Sequence, residues 1–181
     1  METARLLLRP IEEGDLDALT ELDGDARIRG AIDPFDEHIP EDPDARREYE
    51  RRLVGHPGFR AAIDRASGRV RGWFQLQEAE GRPGELELGY RLHPDVWGAG
   101  LATEGAEALL GTALARPEVT RVFAHSLLSN PGSIRVMEKI GMTYAGPWDY
   151  KGLPGAEYEA VSGERATAAG PDAAARRDAR A

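Results

Sequence analysis

The sequence predicts one α+β domain over residues 1–162, built on a mostly antiparallel sheet of seven strands with about four helices, and a disordered tail over 163–181. Two observations carry this reading. Between Phe59 and Leu92, short apolar and aromatic runs separated by Gly- and Pro-containing turns read as an antiparallel meander. Beyond Pro94 the period changes to that of a helix, then a strand, a second helix and two short strands. Length agrees, because 181 residues with 41% hydrophobic content suit one domain with its own core.

Each element has its own signal. Ala4 to Arg9 alternates loosely and stops at Pro10, a first strand, and Glu12 to Leu22 carries Leu16, Leu19 and Leu22 on one side of a helix. Asp23 to Asp44 is rich in Asp, Gly and Pro without periodicity and reads as a functional loop. A helix over Ala45 to Val54 is stopped by Gly55, Pro57 and Gly58. Phe59 to Asp64 and Val70 to Gln77 form a hairpin about Gly68, and Glu80 to Gly84 turns the chain into a strand over Glu85 to Leu92. Ala102, Ala106, Leu109, Leu110 and Ala113 recur as the stripe of an amphipathic helix ended by Pro117. Thr120 to Leu127 is a strand. Asn130 then caps a helix from Pro131 to Ile140, with Gly141 at its left-handed exit. Tyr144 to Trp148 and Glu157 to Ser162 complete the sheet, and the Ala-, Arg-, Asp- and Gly-rich end has no apolar pattern.

Composition excludes several classes. There is no cysteine, hence no disulfide framework, thiolate metal site or Cys nucleophile. No signal peptide opens the chain and no run approaches the roughly 20 apolar residues of a membrane helix, so a cytoplasmic protein without membrane association is expected. A net charge of −9 argues against a nucleic-acid partner. Asp33 to Glu50 holds eight acids against Arg46 and Arg47, a local net charge of −6 that would draw cationic ligands. The histidines at 38, 56, 93 and 125 lack metal-ligand spacing and read as structural, so no metal is implied.

The informative stretch runs from Glu87 to Glu104. A strand enters the turn Trp97-Gly98-Ala99-Gly100 and passes directly into a helix at Leu101-Ala102-Thr103, which aims main-chain N–H groups at one point beside the positive end of the helix dipole. That is an anion cradle in which a glycine Cβ would hold a ligand's oxygens away from the main chain. It is not a dinucleotide fingerprint, because Thr103 stands where a third glycine is needed and the preceding strand belongs to a meander. Neither a Walker sequence nor a Gly-x-Ser-x-Gly elbow is present.

Taken jointly, Thr3 to Arg9, Glu87-Leu88-Gly89-Tyr90, Trp97 to Glu104, Arg121-Val122-Phe123-Ala124 and Asn130 to Met142 resemble the GNAT acetyltransferases, in particular the Rim-type ribosomal-protein N-terminal acetyltransferases. Trp97 stands where many members of the wider superfamily have Gln or Arg, although this branch commonly has Trp. The resemblance implies a three-layer fold whose sheet splays between its fourth and fifth strands, with acetyl-CoA as cosubstrate in the cleft. It further implies direct attack on the thioester by an amine, whether a protein N-terminus or a small cationic amine. The alternative is a CoA-binding regulatory domain without catalysis. A monomer or homodimer is expected.

Three chemical roles then need residues. Glu87, mid-strand and in the position of the family's strand acid, is the candidate base, with Glu85 or a water relay as alternatives; burial would raise its pKa toward the useful range. Leu92 or His93 would supply a main-chain oxyanion donor beside the cofactor. Ser133 would protonate the departing thiolate, and Asn130 would hold the pantetheine arm while capping its helix. Trp97, Gly98, Ala99, Gly100, Leu101, Ala102 and Thr103 would cradle the diphosphate. Tyr90 and Trp97 stand close enough to that turn to line the acceptor cleft, and Arg135 reads as surface.

Overall fold

The computed structural model describes residues 1–32 and 39–163. Strands β1 (Leu6–Arg9), β2 (Phe59–Asp64), β3 (Val70–Glu78), β4 (Glu85–Leu92), β5 (Arg121–Leu127), β6 (Thr143–Tyr150) and β7 (Leu153–Val161) form one sheet in the order β1-β2-β3-β4-β5-β7-β6. The pairs β1–β2, β2–β3, β5–β7 and β6–β7 are antiparallel. The pair β4–β5 is parallel, through Glu85–Glu87 against Arg121–Phe123. A parallel pair needs a long crossover, and the helix α4 (Leu101–Leu114, numbered below) lies in it. The fold is therefore α+β with a mixed sheet.

The helices are α1 (Leu16–Gly24), α2 (Ala26–Ile32), α3 (Pro43–Arg51), α4 and α5 (Pro131–Lys139), with single 3-10 turns at Glu13–Asp15 and Pro94–Val96. Among the described residues five helices stand where about four were expected, because α2 occupies part of the span read as loop. It is seven residues long and contains Gly30, too short and too permissive to show a period; Asp25 Oδ1 accepts the Arg27 N–H at 2.8 Å at its start. Strands β6 and β7 also run further than expected. Pro147 lies inside β6, which ends the sheet order, and an edge strand tolerates a residue without an N–H. The acids Asp33, Asp36 and Glu37 and the tail from 164 lie outside the described residues.

The chain divides into two compact units. The first comprises Met1–Gln77 with Gly89–Ala108. Its core gathers Ile11, Leu19, Leu22, Ile28, Leu53, Phe59, Ala61 and Ile63, which places the stripe of α1 against β2. The second comprises Glu78–Leu88 and the described residues from Leu109 on. There Val122, Ala124, Met137, Met142, Ala156 and Tyr158 are buried, and the Tyr158 hydroxyl donates to Glu138 of α5 at 3.2 Å. The next residue in line on β5 faces the opposite side of the sheet at each step, and that second face carries Arg121, Phe123 and His125. Among the described residues no helix is long and apolar enough to cross a membrane.

Candidate active site

In the first unit, β4 ends at Leu92, and a 3-10 turn leads to Trp97, Gly98, Ala99 and Gly100, all exposed, before α4 begins at Leu101. Gly98 and Gly100 have φ of 75° and 80°, which a side chain would strain. Within the protein itself, backbone conformation calls for the glycines. A Cβ on Gly98 would meet nothing within 4 Å, and one on Gly100 would point at Arg5 Nη2, 3.4 Å away, so backbone conformation sets the requirement. The bond closing the first turn of α4 runs from the Glu104 N–H to Gly100 O, and helix geometry leaves the N–H groups of Leu101, Ala102 and Thr103 without partners inside the helix. Trp97 is pinned by its indole N–H, which donates to Leu92 O at 2.8 Å.

A strut that the sequence did not reveal holds this turn. Glu104 Oε1 accepts from the Thr3 hydroxyl and the Arg5 N–H, both at 2.6 Å, while Oε2 accepts from Arg5 Nε at 2.7 Å. Arg5 Nη1 in turn donates to Ala99 O at 2.7 Å. One guanidinium thus ties the chain before β1 to Ala99 inside the glycine turn and to Glu104 in the first turn of α4. The bonds from Thr3 and Arg5 outweigh desolvation and hold the Glu104 carboxyl below its ordinary range.

His93 is corrected as an oxyanion donor. Its main-chain N–H donates to Arg71 O at 2.8 Å, and its ring Nδ1 accepts from the Asp95 N–H. Successive amides of a strand point to opposite edges, so the Leu92 N–H is directed away from the edge His93 uses.

The acidic segment is also corrected in part. Glu50 is 1% exposed and lies with Asp23 (0%) and Arg91, whose Nη1 meets Asp23 Oδ2 at 2.6 Å. Burial first, then the neighbouring Asp23 carboxylate, pushes the Glu50 carboxyl up to about 9. It is neutral at pH 7 and adds nothing to a surface field. Arg46 is buried as well and donates to the carbonyls of Pro40 and Glu41.

In the second unit, β4 and β7 flank β5 and bring charged side chains onto one face. Arg121 donates to Glu85 at 2.8 Å and to Glu157 and Glu159 at 2.5 Å each. Glu157 Oε2 meets His125 Nε2 at 2.7 Å, and His125 Nδ1 stands 3.5 Å from Glu87 Oε1. The Glu87 side chain is 42% exposed, so the burial expected for it is not found; its partner is an imidazole instead. Trp148 stacks on His125 with centroids 4.5 Å apart and planes 13° apart. His125, read from the sequence as merely structural, is the centre of this group.

At the start of α5, Asn130 Oδ1 accepts the Ser133 N–H at 3.1 Å, the expected cap, with Pro131 in the first turn and Gly141 at φ 85° beyond the end. Ser133 is half-buried and Arg135 exposed. Among the described residues no group of three or more His, Cys, Asp or Glu side chains is placed to hold a metal ion.

Comparison with known proteins gives this arrangement its family. The chain is 30% identical over 95 residues to the FsC-acetyl coenzyme A-N(2)-transacetylase of Aspergillus fumigatus, a match taking in 49% of this chain and 40% of that protein. The chain therefore spans less than half of that relative's length. The fold is shared with a GNAT-family acetyltransferase from Bacillus anthracis, at TM-score 0.80 and 23% identity over 91% of this chain and 99% of the other. It is shared too with a spermidine N-acetyltransferase from Vibrio cholerae solved with CoA and spermine, at TM-score 0.71 and 18% identity over 88% and 96%. The family model for the acetyltransferase (GNAT) domain matches residues 5–143, from Arg5 of the strut to the first residue of β6, and the chain belongs to that family.

Proposed function

We propose that this GNAT protein is an acetyl-CoA-dependent N-acetyltransferase acting on a primary amine by direct attack in a ternary complex. The observation that carries the reading is the glycine turn running into α4, where two positive-φ glycines and three helix-start N–H groups form an anion cradle braced by Arg5. Those groups suit a diphosphate in charge and in geometry. When bound, acetyl-CoA supplies the acetyl group as a thioester.

The remaining chemistry falls to side chains and one amide. Glu87 takes a proton from the acceptor ammonium, for which its partial exposure leaves access. The Leu92 N–H donates to the carbonyl oxygen as negative charge develops there; His93 is excluded because its N–H is bonded to Arg71. Ser133 donates a proton to the leaving thiolate, and Asn130 orients the pantetheine arm from the same helix start. The acceptor is cationic, a small amine or, as the Rim-type resemblance implies, a protein N-terminus. The spermine bound by the Vibrio cholerae neighbour supports an amine of the first kind.

The test is CoA release on adding acetyl-CoA to a panel of Ala- and Ser-starting peptides, polyamines and aminoglycosides, with the acetylated product weighed by mass spectrometry. Acetylation of one class supports the proposal and names the acceptor. Failure to bind CoA at millimolar concentration in a calorimeter would overturn it.

A further inference from the structure

We infer that His125 is a positioning residue for Glu87: held between Glu157 and Trp148, its ring stands against the carboxylate and keeps it aimed. The inference rests on the reading of Glu87 as the base. No sequence motif suggested it, because the three strands that build it are far apart in the chain.

The geometry is a line of alternating charge. Glu85, Glu157 and Glu159 converge on Arg121, which fixes the orientation of the Glu157 carboxylate. Glu157 lies directly opposite His125 in the β5–β7 ladder and turns its free oxygen to Nε2. The ring therefore has one orientation, with Nδ1 toward Glu87. Phe123 packs an edge against it at 5.2 Å and Trp148 covers its face, so it cannot swing away without losing both contacts.

Carboxylates at both ring nitrogens favour the charged form. Burial works against the imidazolium, but the bonds to Glu87 and Glu157 exceed that penalty and leave the His125 pKa raised. Tyr150 stacks beyond Trp148, with the Lys151 ammonium 5.2 Å from its ring centroid. The other cations near this face, Arg121 and Arg82, lie over Phe123 and are engaged by Glu85, Glu157 and Glu159, so they oppose the imidazolium from behind neutralising carboxylates. A fixed ring nitrogen at 3.5 Å serves the base by restricting the carboxylate to rotamers that face the same point.

Two measurements test this. In the first, the His125 ring is followed by NMR against pH in the resting protein. The midpoint is expected above 6.5 in the wild type and lower in Glu87→Gln; a midpoint that Glu87→Gln leaves in place overturns the inference without any assay of activity. In the second, the acetyl-transfer rate is taken against pH for His125→Gln and Glu87→Gln with the acceptor found by the panel. His125→Gln should lower kcat by about tenfold near pH 6, where the wild-type ring is charged, with the deficit shrinking at alkaline pH as the wild-type ring loses its charge and with the KM for acetyl-CoA unchanged. Glu157→Gln, which frees the ring's orientation, should act in the same direction and less. If Glu87→Gln is slow but His125→Gln leaves kcat and its pH profile as in the wild type, the positioning role fails while the base stands. If Glu87→Gln is as fast as the wild type, the base reading fails and the inference with it.

Discussion

Replacing Glu50 by Gln should stabilise the protein at neutral pH, and the gain should grow with pH. Glu50 is sealed between α1, α3 and β4, with Asp23 beside it and Glu50 Oε2 and Asp23 Oδ1 both lacking hydrogen-bond partners among the described residues. Its carboxyl titrates near 4.5 when unfolded and at about 9 in the fold. The native state therefore retains a proton that the unfolded chain has released, and stability falls as pH rises from about 4.5 toward 9. One pH unit corresponds to about 1.4 kcal/mol, so the titration need only lie above 7 for the penalty at pH 7 to reach about 3 kcal/mol.

Gln keeps the shape, cannot ionise, and offers an amide donor to Asp23 in place of the carboxyl proton. For a fold of this size about 3 kcal/mol is about 6–12 °C in Tm. The assay is a pair of melting curves, wild type and Glu50→Gln, at steps between pH 5 and 8.5. At pH 5 the difference should be about 1 kcal/mol or less; by pH 7 it should reach about 3 kcal/mol, and it should widen further at pH 8. A difference independent of pH would refute the reasoning. So would a variant less stable than the wild type at pH 8, because that would mean an ionised Glu50 held by Arg91 and Arg52.

Other outcomes follow from the turn and the caps. CoA at 100 times its Kd should raise the unfolding free energy by about 2.7 kcal/mol, read as a Tm shift. Gly100→Val should cost about 1–3 kcal/mol through its positive φ and weaken CoA binding by calorimetry, while a variant that binds CoA normally would place the diphosphate elsewhere. Arg5→Ala should weaken CoA binding more than it lowers Tm, since the bonds it loses brace the exposed turn and not the core. Asn130→Ala should lower stability by about 1 kcal/mol through the lost cap and weaken CoA affinity as well; loss of stability alone would leave Asn130 a cap and nothing more.

What could be read in the sequence was what depends on neighbours along the chain. The glycine turn, the Asn130 cap and the β4 strand with its preceding turn are set by a few consecutive residues, and all three appear where expected. The meaning of His125 depends on Glu157, 32 residues away, standing opposite it across a strand pair, and register between distant strands is not written in either strand alone. A faint signal existed. Arg121, Phe123 and His125 alternate on one strand as Glu157 and Glu159 do on another, and opposite charges at period two hint at cross-strand pairing. Glu50 was misread for a related reason. In α3 Arg46 and Glu50 are four apart and share one face, but that face points inward, where Arg46 satisfies carbonyls and Glu50 meets Asp23. Counting charge along the segment treats both as solvated.

That miscount changes where a cationic acceptor should feel attraction. With Glu50 neutral and three acids of the segment outside the described residues, the better-defined source is the face of the second unit. Glu85, Glu87, Glu157 and Glu159 there oppose Arg82, Arg121 and the imidazolium of His125. Arg121 absorbs most of the field of three of these carboxylates, which are 24–29% exposed, whereas Glu87 is 42% exposed and its partner's cation sits on one side only. The attraction is thus concentrated at the carboxylate proposed as the base. Two effects of His125→Gln then separate. Removing the imidazolium makes the face more negative by one charge, which should lower the KM for a cationic amine or leave it unchanged, while the same change slows kcat because the Glu87 carboxylate is no longer held in line. High salt should erase the first effect and spare the second, since screening acts on the approaching amine over about 8 Å but hardly on a pair 3.5 Å apart. A His125→Gln enzyme whose amine KM rises at low salt would mean that the imidazole helps to bind the acceptor directly and does not act through Glu87.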